Sequence, residues 1–202
     1  MKIICIGRNY RDHAKELNNP VPSEPLIFMK PSTALLLEDK PFYHPEFSEN
    51  IHYELELVIK VLKNGRHVQP KFARDYYEQI ALGIDFTARD IQKRCKEKGH
   101  PWEKAKGFDH SACLSNFIAF PEHEEKGIDF KLLKNGEEVQ VGNSRDMIFD
   151  FDYLIQDISK YFKLQIGDLI YTGTPAGVGP VKIGDLLEGY LNGKKLLHCE
   201  IK

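Results

Sequence analysis

The sequence predicts a β-rich α+β fold, and two patterns support this class. Three Asn-Gly pairs lie between strand-like runs, in VLKNGRHV (61–68), FKLLKNGEEVQV (130–141) and GYLNGKKLLHCEI (189–201). Asn-Gly favours a two-residue type I′ turn, so we expect hairpins over 55–69, 129–141 and 187–201. The few helical stripes do not alternate regularly with strands, which argues against a βαβ fold.

The remaining elements follow from hydrophobic periodicity and from start and stop signals. Further apolar, β-branched runs predict strands at 2–6, 26–29, 80–86, 117–120 and 168–172. Helix-forming stretches predict helices at 8–18, 73–81, 87–99 and 151–162. The third of these is expected to begin at a Thr87 cap and to end at Gly99.

Composition restricts the function classes. Of the 202 residues, 42% are apolar and 29% charged, which is ordinary for a soluble globular chain, and no linker divides it, so we expect one domain over 1–202. A net charge of −2 without a basic tract predicts neither nucleic-acid nor membrane binding. Four cysteines without a C-x-x-C spacing predict buried thiols, and the short apolar run Ile3–Ile6 is no secretory signal, so we expect a cytoplasmic protein.

The stretch HYELELVIKV (52–61) places two glutamates in an apolar strand. Glu54 and Glu56 share one face because side chains alternate along a strand. They could lie on a solvated outer face, or they could be oxygen ligands of a divalent ion. Asp85 ends the apolar run IALGID and is a candidate third ligand, with capping of the next helix as the alternative. Three carboxylates would suit Mg²⁺ or Mn²⁺ better than Zn²⁺.

Other side chains could supply catalysis and substrate contacts. His13 and Glu16 are neighbours on a helix, where the carboxylate would orient an imidazole base, although an exposed ion pair is also consistent. Arg89 and Gln92 share a helix face that could meet an anion or simply face solvent. Lys106 is a candidate buried cation, and Thr174 lies in a Gly/Pro-rich loop, TGTPAGVGPV, that could line a carboxylate pocket.

These motifs resemble those of a known family. In order, they are GRNY-x-x-H-x-x-E, FMKPS, H-x-ELEL, GIDFTARD-x-Q, PW-x-x-AKGFD and GD-x-IYTGTPAGVGPV. Together they span essentially the whole chain and resemble the fumarylacetoacetate hydrolase family, nearest its small acylpyruvase and oxaloacetate decarboxylase branch. The resemblance implies a single catalytic domain, a mixed β-sandwich or roll with short flanking helices, and a homodimer. It also implies that residues 1–20 form a strand and a mobile lid helix.

The resemblance assigns roles to the candidate residues. It implies that Glu54, Glu56 and Asp85 hold Mg²⁺ or Mn²⁺, and that His13 and Glu16 activate water. Lys106 would add positive charge at the reacting oxygen. The positions that match substrate contacts are Arg89, Gln92, Thr174 and Lys30.

The expected activity is metal-dependent hydrolysis of 3-acylpyruvates to pyruvate and a carboxylic acid, with oxaloacetate decarboxylation as a possible second reaction. One alternative is an isomerase or decarboxylase of unsaturated 2-oxo diacids, of the 2-hydroxyhepta-2,4-diene-1,7-dioate isomerase type. A second is a binding protein without turnover. A third is a cupin-like oxygenase, in which His52 would join Glu54 and Glu56 around iron.

Overall fold

β-Strands dominate the computed structural model, which describes residues 1–16, 20–37, 40–121 and 126–202. The strands are β1 (Ile3–Gly7), β2 (Leu26–Lys30), β3 (Leu35–Leu37), β4 (Ile51–Tyr53), β5 (Leu55–Lys60), β6 (Gln79–Asp85), β7 (Thr87–Ala88), β8 (Ala112–Leu114), β9 (Ile118–Ala119), β10 (Asp129–Lys134), β11 (Glu137–Asn143), β12 (Leu169–Tyr171), β13 (Gly179–Pro180), β14 (Leu186–Leu191) and β15 (Lys194–Glu200). The α-helices are α1 (Arg11–Glu16), α2 (Arg89–Lys98), α3 (Glu103–Lys106) and α4 (Phe151–Tyr161). None of the helices in these ranges is long and apolar enough to cross a membrane.

The described strands form three sheets. The largest has the order β2-β1-β12-β5-β6-β8-β3, with β9 also pairing with β6. The second has the order β11-β10-β14-β15, and the third has the order β13-β4-β7. The pairs β1–β12 and β3–β8 are parallel, whereas neighbouring strands such as β5 and β6 are antiparallel. The predicted mixed, β-rich α+β architecture is therefore confirmed.

The largest sheet is buried on both faces, as β1 illustrates. Ile4 and Ile6 join a core that also contains Leu132 of the four-stranded sheet. Ile3 and Cys5 join a second apolar cluster on the opposite face. Burying each large aliphatic side chain stabilises the fold by roughly 1.5–3 kcal/mol. All four cysteines are buried, as the sequence predicts.

Two of the three predicted hairpins are confirmed. β10 pairs with β11 and β14 pairs with β15, both antiparallel. Their turns place Asn135 at φ 53° and Asn192 at φ 46°, each followed by a glycine with positive φ. Positive φ at both central residues is what a type I′ turn requires, and Asn with Gly tolerates it best.

The hairpin predicted over 55–69 is wrong. β5 pairs instead with β6 and β12, and the chain leaves the sheet at Val61. Gly65 forms an isolated bridge with Leu164, and the Asn64 side chain accepts a hydrogen bond from the Ile166 amide. The Asn-Gly pair is therefore used to dock a loop onto the segment after α4.

The helix predictions are partly correct. α2 and α4 fit the helices predicted at 87–99 and 151–162, and α1 lies within 8–18. The helix predicted at 73–81 is wrong, because a 3-10 turn at Pro70–Tyr76 gives way to β6 at Gln79. The predicted Thr87 cap is also wrong, because the Thr87 hydroxyl donates back to the Asp85 carbonyl and α2 has no side-chain cap. Residues 17–19 of the predicted lid lie outside the described ranges.

Candidate active site

The predicted strand 52–61 is two strands that meet at Glu54. β4 belongs to the three-stranded sheet and β5 to the largest sheet, so Glu54 lies where the chain crosses between them. The Glu54 carbonyl accepts a hydrogen bond from the Asp85 amide at 2.9 Å, which holds the end of β6 beside this crossing. Glu54 and Glu56 are only 5% and 2% exposed. The solvated-face interpretation of these glutamates is therefore wrong.

The three predicted acids converge. Glu54, Glu56 and Asp85 each offer a carboxylate oxygen, and these oxygens all lie within 4.8 Å of one another. We call these residues the acid cluster. Asp85 is fully buried at the end of β6. Burying three carboxylates together is costly unless nearby positive charge compensates for it.

Three cations supply part of that charge. Lys106 Nζ donates to Glu54 Oε2 at 2.8 Å and to Asp85 Oδ2 at 2.6 Å. Lys30 Nζ lies 2.8 Å from Asp85 Oδ1, and Arg89 Nη2 donates to Glu54 Oε1 at 2.5 Å. Burial opposes ionisation of Glu54, but Lys106 and Arg89 outweigh it and hold the pKa of that carboxyl well below its usual value.

Glu56 is the exception within the acid cluster. No cation in the described ranges lies within ion-pair distance of its carboxylate, which accepts a 2.7 Å hydrogen bond from the Gly173 amide. Burial, followed by repulsion from Asp85 and Glu54, raises the pKa of Glu56 well above its usual value. Gly173 has φ 102°, and a Cβ there would lie 2.7 Å from Asn9 Cβ, so only glycine fits this position.

The acid cluster has the chemistry of a hard divalent cation site. Its donors are carboxylate oxygens, which Mg²⁺ and Mn²⁺ prefer. The uncompensated charge on Glu56 is the kind of charge that such an ion would neutralise. Glu54, Glu56 and Asp85 would be its protein ligands. His52, the extra ligand of the cupin-like alternative, is outside the cluster and bonds with Asn50 Oδ1 at 2.9 Å.

Lys30 lies behind Asp85. Its ammonium group contacts the Phe86, Lys106 and Ser111 carbonyl oxygens and lies 2.9 Å from the Ser111 hydroxyl oxygen. It is 2% exposed and is not among the side chains that line the pocket. This geometry favours a role in positioning Asp85 over the predicted substrate contact.

The predicted pairing of His13 with Glu16 is present on α1. His13 Nδ1 lies 3.2 Å from Glu16 Oε2, and Glu16 Oε1 accepts a 3.0 Å hydrogen bond from the Gly177 amide. Burial lowers the pKa of His13, and Glu54 and Glu16 offset this only in part. The imidazole is therefore neutral at pH 7, and a proton on Nδ1 shared with Glu16 leaves Nε2 free to accept one.

The other predicted residues complete the pocket wall. Arg89 Nη1 donates to Gln92 Oε1 at 2.7 Å, which orients both side chains. The Thr174 hydroxyl accepts from Gln140 Nε2 at 2.9 Å, and Gln140 Oε1 accepts from the Leu55 amide. The pocket is lined by Ile6, Gly7, Arg8, His13, Leu26, Phe28, Glu54, Glu56, Asp85, Arg89, Gln92, Lys96, Trp102, Lys106 and Thr174.

Sequence reasoning missed several of these positions. Gln140 is a buried amide between Val139 and Val141 on β11, a polar residue in an apolar run that could have been singled out. Gly173 contributes its backbone amide, and the residue type alone does not reveal that contribution. Arg8 and Lys96 reach the pocket mouth from a turn and from the end of a helix, where the sequence shows only ordinary surface cations.

The chain belongs to the fumarylacetoacetate hydrolase family. The family described as fumarylacetoacetate (FAA) hydrolase C-terminal matches residues 2–201. The chain is 44% identical over 194 residues to the mitochondrial oxaloacetate tautomerase FAHD1 of Homo sapiens, covering 95% of this chain and 87% of that one. It is 43% identical to the mitochondrial oxaloacetate decarboxylase of Dictyostelium discoideum, covering 95% and 89%. Those names place the relatives in mitochondria, and a cytoplasmic location for this chain stays a prediction.

Solved structures with the same fold include two different enzyme types. One is fumarylpyruvate hydrolase from Pseudomonas aeruginosa in complex with Mn²⁺ and pyruvate, with a TM-score of 0.91, 32% identity and coverage of 100% of this chain and 89% of that one. The other is 2-hydroxyhepta-2,4-diene-1,7-dioate isomerase from Mycobacterium marinum, with a TM-score of 0.85, 31% identity and coverage of 99% and 73%. The fold alone therefore does not select one reaction.

Proposed function

We propose that this chain is a metal-dependent enzyme that interconverts the keto and enol forms of oxaloacetate. The observation that carries the proposal is a neutral, oriented His13 in the same pocket as the acid cluster and Lys106. A tautomerase needs one base that can take and return a proton, next to a site that stabilises the charge developing on the substrate oxygen. The identity to enzymes named oxaloacetate tautomerases supports this choice over other reactions of the family.

The charge balance of the site supports a substrate with two carboxylates. The acid cluster is matched by three cations, Lys30, Arg89 and Lys106. A divalent ion would add two positive charges to this buried set, and Arg8 and Lys96 add two more among the lining residues, so the site carries an excess of positive charge that a dianion such as oxaloacetate would reduce. Electrostatic neutrality matters in a buried pocket because unbalanced charge is poorly solvated there.

The chain's residues account for the proton transfers. In the keto form, His13 Nε2 would take a proton from C3, and the C–H electrons would form the C2–C3 double bond while negative charge moves to the C2 oxygen. Lys106 would donate a hydrogen bond to that oxygen, and protonated His13 would return the same proton to it, which completes the enol with no net change in atoms. Glu16 keeps the imidazole in the tautomer that can accept. When bound, the divalent ion would supply Lewis-acid stabilisation of the 2-oxo group.

A second candidate is hydrolysis of 3-acylpyruvates, the activity expected from the sequence. The same imidazole would take a proton from water, the resulting hydroxide would attack the distal acyl carbonyl, and the C–C bond would break to give pyruvate and a carboxylic acid. The likeness to fumarylpyruvate hydrolase and the presence of the His13–Glu16 pair favour keeping it. The two candidates differ in whether water attacks, so their products separate them.

The test follows three products in parallel with purified protein loaded with Mg²⁺ or Mn²⁺. Enol absorbance reports tautomerisation of oxaloacetate, carbon dioxide reports its decarboxylation, and pyruvate released from acetylpyruvate reports hydrolysis. We expect tautomerisation, corrected for the spontaneous rate, to be the fastest reaction and to stop in excess chelator. Fastest pyruvate release from acetylpyruvate would favour the second candidate instead, and turnover only of an unsaturated dienoate diacid would favour the isomerase alternative.

His13→Asn tests the assigned base in the same assay. Loss of general-base catalysis should lower kcat about 10²- to 10⁴-fold while Mn²⁺ binding is retained. The matched control is His198→Asn, which makes the same substitution on β15, at an imidazole whose contact is Glu200 at 3.9 Å. Full tautomerase activity in His13→Asn would exclude His13 as the base.

A further inference from the structure

Two cations at the mouth of the pocket have no carboxylate partner among the residues that the structure describes. Arg8 follows β1, and Lys96 lies in the last turn of α2; both line the pocket. Deeper in the site, Lys106 and Arg89 each contact an acid. The positive charge at the mouth is therefore available to a ligand, whereas the charge at the floor is already paired.

The position of Arg8 is fixed by its neighbour. Asn9 is fully buried, and its side chain donates to the Phe149 and Thr172 carbonyl oxygens and accepts from the Phe149 amide. Arg8 has φ 60°, a left-handed conformation that is unfavourable for a non-glycine residue. Anchored strain of this kind is often found where a side chain must be presented to a site.

Lys96 extends a polar face of α2 toward the mouth. Arg89, Gln92 and Lys96 are spaced by three and four residues, so they follow one another along one side of the helix. Arg89 donates hydrogen bonds to Glu54 and Gln92, so Lys96 is the next cation along this side of α2 toward the mouth. Lys96 Nζ lies 5.5 Å from the centre of the Trp102 ring, within cation–π distance, and both residues line the pocket.

Like charges are gathered at this mouth. Partial burial lowers the pKa of Lys96 to about 8, and repulsion from Arg8 and then Arg89 adds to the effect. Burial also lowers the pKa of Arg8. An anion bound between these groups would relieve the repulsion and supply charge-assisted hydrogen bonds.

We infer that Arg8 and Lys96 bind the second carboxylate of the substrate and thereby select 2-oxo diacids over 2-oxo monoacids. The inference rests on the proposed function, because it needs the 2-oxo acid end of the substrate to lie at the ion held by the acid cluster and the second carboxylate to point toward the mouth. It adds two specificity-determining residues that belong to neither the acid cluster nor the His13–Glu16 pair.

A neighbouring groove provides the contrast. It is lined mainly by apolar side chains of β2 and of the α2–α3 loop, including Leu26, Phe28, Met29 and Trp102. A neutral acyl group would be better accommodated there than beside two cations, because apolar surface gains most from an apolar wall. A diacid and a neutral-tailed acid should therefore respond differently to loss of the mouth cations.

The test measures binding, so that it does not depend on turnover. Metal-loaded protein is titrated by calorimetry with 3,3-difluorooxaloacetate, a diacid without C3 protons, and with pyruvate, which lacks the second carboxylate. In Lys96→Gln we expect the Kd for the diacid to rise about 10- to 100-fold, as for loss of a charge-assisted hydrogen bond, with the Kd for pyruvate unchanged. Lys98→Gln, an exposed lysine two residues further along α2, is the control and should change neither constant.

Arg8→Asn provides the second variant, because asparagine tolerates the left-handed backbone while it removes the charge. We expect the same selective loss, with an unchanged melting temperature. Equal effects on both ligands, or no effect on either in both variants, would overturn the inference. Lys96-dependent preference for the diacid in a protein that does not turn over oxaloacetate would uphold the inference and reject the proposed function.

Discussion

At the floor of the pocket, Lys106 is buried against Asp85 with Lys30 behind it, whereas at the mouth Arg8 and Lys96 line the opening without a carboxylate partner in the described ranges. Lys30, Lys106 and Asp85 compensate one another within the fold itself, and they come from β2, α3 and β6. The cations at the mouth come from a turn and a helix end. Changes at the floor should therefore act on folding and ion binding together, while changes at the mouth should act on selectivity alone.

The acid cluster contains the same contrast on a smaller scale. Asp85 has two ammonium groups within 2.8 Å, whereas Glu56 has a backbone amide as its hydrogen-bond donor. The raised pKa of Glu56 means that its ionised form opposes folding, while the ion pairs of Asp85 support it. Two carboxylates with the same expected ligand role thus have opposite expected effects on stability.

The largest predicted effect follows from this pair. Asp85→Asn leaves Lys30 and Lys106 buried with one charge partner fewer, so we expect the free energy of unfolding to fall by about 3–5 kcal/mol. Glu56→Gln removes an uncompensated buried charge and keeps an oxygen for the Gly173 amide, so stability of the metal-free protein should be unchanged or higher. Urea denaturation in excess chelator measures both values.

Both variants should nevertheless lose Mn²⁺ binding and activity, because each removes one of three charged ligands. Calorimetric titration with Mn²⁺ checks the first loss and the enol assay checks the second. Equal destabilisation by the two substitutions would contradict the proposed division between a compensated Asp85 and an uncompensated Glu56.

A smaller effect is expected at the His13–Glu16 pair. Glu16→Gln keeps an acceptor for the Gly177 amide but removes a charge that, after that of Glu54, opposes the burial-driven lowering of the His13 pKa. Loss of a carboxylate that orients a functional histidine typically costs about 10- to 100-fold. We therefore expect kcat to fall by that amount and the acidic limb of the kcat/KM profile to move to lower pH, since the imidazole would protonate less readily.

The pH profile distinguishes this explanation from simple loss of structure. Misplacement of α1 would relieve the burial that lowers the pKa of His13, so it would reduce kcat and move the limb to higher pH. Glu46→Gln, the same substitution at an exposed glutamate, is the control and should leave both kcat and the limb in place. A limb that moves to higher pH in Glu16→Gln would mean that Glu16 is not what raises the His13 pKa.

The strand and turn chemistry of this chain made much of its fold predictable. Asn135-Gly136 and Asn192-Gly193 form the predicted hairpins, because local backbone preference and strand pairing agree there. Asn64-Gly65 carries the same local signal, yet β5 gains more by pairing with β6 and β12, whose apolar side chains share its core. Pairing with distant strands overrode the local turn preference, which a short sequence window does not reveal.

The site shows the same limit. Motif resemblance placed the acid cluster and His13 in one pocket, and the structure brings them together. The spacing of Glu54 and Glu56 alone allowed a solvated face, and burial was decided by the crossing between two sheets. Lys30 and Gln140 are 2% and 1% exposed, and their roles depend on partners more than 50 positions away, Asp85 for one and Leu55 for the other, so sequence proximity gave no sign of them.

The smallest predicted effect concerns His52, a half-buried imidazole on β4 beside the acid cluster. Burial, with help from Arg89, lowers the pKa of His52 from 6.5 to about 4, although Glu54 opposes the shift. The unfolded chain therefore binds a proton at this residue before the folded protein does, and stability is lost as pH falls from about 6.5 to about 4. His52→Gln keeps a donor for Asn50 and should remove about 1–2 kcal/mol of this loss once solvent screening is allowed for.

Urea midpoints between pH 4 and pH 7 measure the slope in the wild-type protein and in His52→Gln. The lowered pKa of His13 acts in the same direction, so some slope should remain in the variant. His198→Gln, the same substitution on β15 of the four-stranded sheet, should leave the wild-type slope intact. An unchanged slope in His52→Gln would show that the His52 imidazole is solvated and that burial does not lower its pKa. The low-dielectric region around the acid cluster would then not extend to β4.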